Sequence, residues 1–91
     1  MLLAYRRPCN GKSTEWLDGV QYEGKGMTVA ATLAKVNVGL LSDRYEFRVQ
    51  TYRNGQFAAE SPAIATEADA RAMYEAGVAQ MVKAGLVPST R

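Results

Sequence analysis

Asn10-Gly11-Lys12-Ser13-Thr14 ends in the manner of a phosphate-binding loop, in which backbone amides cradle phosphates while Lys and Ser/Thr reach the phosphate and its magnesium. Upstream the pattern fails. The first glycine of G-x-x-x-x-G-K-[ST] would fall at Arg6, and Pro8 removes one amide from the loop. The segment therefore reads as a polar turn, with Ser13 or Thr14 as a cap. Cys9 lies between Pro8 and Asn10 and near Arg6, Arg7 and Lys12, cations that could lower its pKa and make it reactive. No base accompanies it, because the chain has no histidine. That absence removes the commonest general base, the Ser-His and Cys-His nucleophile pairs, and the commonest metal ligand. A single cysteine also excludes an intramolecular disulfide and a zinc site of the usual ligand count. Glu67 and Asp69 form a carboxylate pair that a helix start explains electrostatically. No catalytic residue, metal or cofactor is expected, so the chain is expected not to be an enzyme. A reduced, cytoplasmic setting fits.

Two groups of residues could bind rather than react. Arg6, Arg7 and Lys12 form the one basic cluster without an acidic neighbour, a candidate for weak, salt-sensitive contact with nucleic acid. Arg44, Arg48 and Tyr52 lie in RYEFRVQTYRNGQFAAES, residues 44 to 61, and are candidates for a partner-binding surface, since arginine and tyrosine are enriched at binding hot spots. Net charge does not choose between them. Eleven basic against nine acidic residues leave +2, too near balance to imply a polyanionic partner.

The chain that must position these residues has 91 residues, 47% apolar and 22% charged, the composition of one globular domain. MLLAYRR is apolar for only four residues before Tyr5 and two arginines, which does not suit a secretory core, and no run approaches the ~18 apolar residues of a membrane span. Membrane partners are not expected. Residues 2–5 suit a short strand, and Glu15-Trp16-Leu17 a single helical turn ended by Asp18-Gly19, so that residues 1–19 read as a less regular N-terminal arm. Val20 to Tyr22 and Met27 onward flank Glu23-Gly24-Lys25-Gly26, a hairpin loop, and TVAATLAKVNV has strand composition. Gly39 to Asp43 reads as the next turn.

From Arg44 the chain alternates, with Tyr45, Phe47, Val49 and Thr51 on one face and Arg44, Glu46, Arg48, Gln50 and Tyr52 on the other. Asn54-Gly55 closes a hairpin in one of two ways. A two-residue turn pairs Arg53 with Gln56, puts Phe57 opposite Tyr52 and buries Glu60 opposite Val49. A type I turn with Gly55 in a bulge pairs Tyr52 with Gln56, brings Phe57 and Ala59 inside and sets Arg48 opposite Glu60. The second buries the rings and pairs the charges, and is the expected register. The outward face, with Arg44, Arg48 and Tyr52 among acidic neighbours, is expected to be open to solvent or a partner.

After Pro62, ATEADARAMYEAGVAQMVKAGLVP is a helix with Thr66 as N-cap, acidic residues at its start, Lys83 at its end, and Gly85 and Pro88 as its stop; residues 86–91 read as a tail. Ala70, Met73, Tyr74, Gly77, Val78, Met81 and Ala84 share one face, expected to cover the sheet against Phe47, Val49 and Phe57. Gly77, costly by ~1 kcal/mol in a helix interior, is expected to mark close approach to a strand.

The order strand, strand, NG hairpin, strand, then a helix opening with TEADARAMYE resembles the small sheet-plus-helix arm-binding domains at the start of phage-type integrases, a resemblance that does not cover the N-terminal 25 residues. That resemblance implies a nucleic-acid-binding module of a mobile element. The residues themselves imply a single α+β domain with an antiparallel sheet of three to four strands and one C-terminal helix packed on one face. Its expected role is a small non-catalytic protein-interaction module, of the adaptor or inhibitor kind, with another protein as partner.

Overall fold

The computed structural model describes residues 5–9 and 11–89. It is an α+β fold of five antiparallel strands and one helix, in the order β1 (Ser13–Gly24), β2 (Met27–Asn37), β3 (Tyr45–Arg53), β4 (Gln56–Glu60), α1 (Glu67–Lys83) and β5 (Val87–Pro88). The sheet order is β4-β3-β2-β1-β5.

Two tight turns set the register. Gly24 pairs with Met27 across Lys25-Gly26, and Arg53 with Gln56 across Asn54-Gly55. Lys25 and Asn54 have φ of 53° and 52°, Gly26 and Gly55 of 74° and 82°, the positive values that two-residue turns need to match strand twist. The NG turn therefore takes the two-residue form, not the expected type I turn with a bulged Gly55. Phe57 faces Tyr52. The register then shifts at Ala58, so that Ala59 opposes Thr51 and Glu60 opposes Gln50. This bulge removes the objection to the two-residue turn, because the extra residue returns Glu60 to the polar face.

The early chain also departs from expectation. Ser13–Gly24 is a strand, where one helical turn ended by Asp18-Gly19 was expected. A register shift between Trp16 and Asp18 marks a bulge, and Asp18 accepts from Gly19 N–H at 2.8 Å. The turn-like Asp-Gly chemistry is thus satisfied inside a strand whose long pairing with β2 outweighs one local turn. Of the strand expected over residues 2–5, all but Tyr5 lies outside the described residues. Val87–Pro88, expected within a tail, pairs with Tyr22 and Glu23 of β1.

Helix α1 begins as its caps dictate. Thr66 accepts from Asp69 N–H, and the helix stops before Gly85, which has φ +87°. Its buried face, Ala70, Tyr74 and Met81, joins Ala31, Leu33, Phe47, Val49 and Leu86 in one core. Arg71 ties it to Asp18 of β1 at 3.3 Å. Met73 is half-exposed, Phe57 belongs to the opposite face, and Gly77 approaches no strand: a Cβ there would meet nothing within 4 Å. These correct the expected packing of Met73 and Phe57 and the expected reason for Gly77.

The sheet face away from α1 is not open. Residues 5–9 lie on it, with Tyr5 against Ala30 and Tyr52, and Cys9 against Ala34 and Val36. Among the described residues, no helix is long and apolar enough to cross a membrane.

Candidate functional site

Tyr52 was expected to point outward into a partner, but outward is not exposed here. Tyr52 is 4% accessible, its ring tilted 44° to that of Tyr5 at 5.0 Å and edge-on to Phe57 at 5.9 Å. Its hydroxyl accepts from Arg7 N–H at 3.0 Å and donates to Gln50 Oε1. Gln50, fully buried, donates through Nε2 to the Arg7 carbonyl (3.0 Å) and to Glu60 Oε1 (2.8 Å). Arg7 completes the clamp, its guanidinium 4.0 Å above the Phe57 ring, the geometry of a cation–π contact. Of the sequence candidates, Tyr52 and Arg7 therefore hold the N-terminal arm in place.

Cys9 ends the same arm, its sulfur 3.6 Å from Gln50 Nε2. Burial, reinforced by the Glu60 carboxylate, pushes its thiol up to about 11. Arg48 acts in the lowering direction but is outweighed by burial and Glu60, so the cations near Cys9 in sequence do not make it a low-pKa, reactive thiol.

The remaining candidates separate along the sheet. Arg44 and Tyr52 stand eight residues apart along an extended strand, a span of ~27 Å, so they do not form one patch. Arg48 is half-buried and tied to Glu46 at 3.1 Å, to Glu60 at 3.9 Å and to the Ser61 carbonyl at 2.9 Å, holding β3 to β4. Arg6 and Arg7 stay with the arm's start, whereas Lys12 joins the other end. There Lys12, Arg44 and Arg48 line an open cleft of about 630 Å3 together with Gly11, Val38, Gly39, Leu40 and Glu46. The cleft draws on both candidate groups.

One loop builds that cleft. Between β2 and β3, Val38 N–H donates to the Arg44 carbonyl at 2.8 Å, and Asn37 both donates to Asp43 (2.9 Å) and accepts from Gly39 N–H (3.0 Å). Gly39 is obligatory for a steric reason, since a Cβ there would fall 1.7 Å from the Ser42 carbonyl oxygen. The Asn37 hydrogen bond, with Lys12 3.9 Å away, holds the Asp43 carboxyl below the usual range, and Asp43 in turn raises the neighbouring Tyr45 hydroxyl.

At the tip of this braced loop, Leu40 and Leu41 are 95% and 102% exposed. Adjacent Arg44 has no carboxylate within ion-pair distance among the described residues, and Tyr45 is 44% exposed. Sequence reasoning read Gly39 to Asp43 as a turn and passed over the two leucines, although an apolar pair inside a turn segment was itself the signal. No protein family, curated protein or solved structure matches the chain.

Proposed function

We propose that the chain is a small non-catalytic protein-binding module that docks its partner on the end of the sheet formed by Leu40, Leu41, Arg44 and Lys12. The observation that carries this reading is the pair of fully exposed leucines on a loop held by its own hydrogen bonds. A loop backbone already braced loses little further freedom on binding, so only the ordering of the two side chains is set against the gain from covering them. About 1.5–3 kcal/mol is available from fully burying each leucine. Arg44 at the rim, without a carboxylate partner among the described residues, favours a partner segment that mixes apolar and acidic residues. The lone, buried Cys9 is in keeping with a reducing, cytoplasmic setting.

A nucleic-acid reading rests on the three cations that line one cleft. It is weakened by pairing within that cleft: Arg48 is engaged by Glu46 and Glu60 and Lys12 faces Asp43, which leaves Arg44 alone without a carboxylate partner among the described residues. Peptide-display selection against the chain, counter-selected on a Leu40→Ser/Leu41→Ser variant, tests the proposal. Enrichment of peptides joining Leu, Phe or Trp to Asp or Glu, binding the variant at least tenfold more weakly (~1.4 kcal/mol), is the expected result. Peptides that bind both forms equally, or DNA or RNA binding with a steep salt slope, would overturn it.

A further inference from the structure

Thr32, Gln50 and Glu60 stand opposite one another across β2, β3 and β4, a polar row in the middle of the face that the arm covers. The neighbouring row on the helix side, Val20, Ala31, Thr51 and Ala59, carries one hydroxyl and no charge. A permanently covered face gains nothing from a polar row, because each group in it must find a partner once water leaves. Here the pairing is incomplete. Among the described residues three buried side-chain polar atoms lack a partner, and two of them are Oγ1 of fully buried Thr32 on this face and Nε of Arg6 on the arm. The arm also joins no ladder: among the described residues, no backbone-to-backbone hydrogen bond ties residues 5–9 to a strand. Side chains hold it instead. Gln21 accepts from the Tyr5 hydroxyl at 2.8 Å, while Tyr52 and Gln50 engage the N–H and the carbonyl of the single residue Arg7 at 3.0 Å each. Main-chain groups held in this way, with places for alternate side chains in Tyr5 against Tyr52 and Arg7 over Phe57, are the means by which a site recognises an extended peptide.

We propose that the arm is a displaceable stand-in for a ligand, and that the face beneath it binds an extended segment of another protein carrying an aromatic residue, an arginine two positions on and a proline next, as in Tyr5-Arg6-Arg7-Pro8. The arm shows the chemistry, because it is the occupant the structure contains. Its tether gives it an effective concentration on the order of millimolar, so a free segment displaces it only by making contacts that the arm leaves unmade, a hydrogen bond to Thr32 first among them. This ligand is basic. The acidic-apolar partner of the loop end is therefore a different one, and either site can fail without the other.

Fluorescence anisotropy of a labelled Tyr-Arg-Arg-Pro-Ser peptide, titrated with the full chain, tests the proposal. The wild type is expected to bind it weakly, since apparent affinity falls with the fraction of chains whose face is uncovered. Tyr5→Ser combined with Arg7→Gly, which frees the arm, should bind ~30-fold more tightly, and adding Gln50→Leu should abolish that gain. Amide hydrogen exchange of the wild type reads the same opening without any substitution. The Arg7 N–H should exchange through local opening, at least ~100-fold faster than the Leu33 N–H of β2. A freed arm that brings no gain in affinity, binding indifferent to Gln50→Leu, or an Arg7 N–H that exchanges only with global unfolding would each overturn the proposal.

Discussion

At the scale of single residues, the polar group that matters most is Gln50. It is fully buried between two sheet-side elements, and it joins the arm to β3 and β4 through Arg7, Tyr52 and Glu60. Removing the Tyr52 hydroxyl leaves the Arg7 N–H and Gln50 Oε1 short of a partner, a loss of ~1–3 kcal/mol expected for Tyr52→Phe in urea denaturation. Alkaline pH should act at the same place. Cys9 titrates near 9.0 when unfolded and about 11 when folded, so in this interval the folded chain holds the proton that the unfolded chain releases. Its contribution is full below pH 9.0 and is lost as pH rises through about 11. Tyr52, raised chiefly by burial, adds loss in the same direction above pH 10.0. Thermal midpoints measured against pH should fall over this window, and Cys9→Ala should make the fall shallower. None of this was legible in sequence, because alternation assigned Tyr52 to the correct face but could not say that residues 5–9 would cover it.

At the scale of elements, legibility followed the range of the deciding interaction. Helix α1 was readable from end to end because its caps, charges and Gly85 act locally. The Gly24–Met27 hairpin was readable for the same reason. Strand β1 was not, since Ser13, Thr14 and Asp18-Gly19 carry local turn and cap signals that only pairing with β2 overrides. The NG hairpin was missed more narrowly: neither expected register has a bulge beyond the turn, and the fold uses the two-residue turn followed by a bulge at Ala58. Gly55→Val should still cost more than ~1 kcal/mol, because a β-branched residue would be forced to φ +82°. Met81→Ala should cost ~2–4 kcal/mol, as its side chain is buried in the core under α1. Urea midpoints read both.

At the scale of the whole molecule, the two sheet faces have different covers, α1 on one and the N-terminal arm on the other. The open face on which the sequence reading placed its partner does not exist in that form. Among the described residues, no element packs over Leu40 and Leu41. Their replacement by serine should therefore change stability by less than ~0.5 kcal/mol, which separates binding from folding in any test. Arg44 stands beside this loop end, whereas Tyr52 is buried under the arm and Arg48 is held by Glu46, Glu60 and the Ser61 carbonyl.

The most direct test is an amide chemical-shift map of the labelled chain titrated with an acidic-apolar peptide from the display selection. Docking at the loop end predicts perturbations confined to residues 38–45 and to Gly11 and Lys12, with the arm and Gln50 unmoved. Perturbations centred instead on Arg7, Ala30, Gln50 and Tyr52 would mean that the partner displaces the arm and binds the sheet face, contradicting the account.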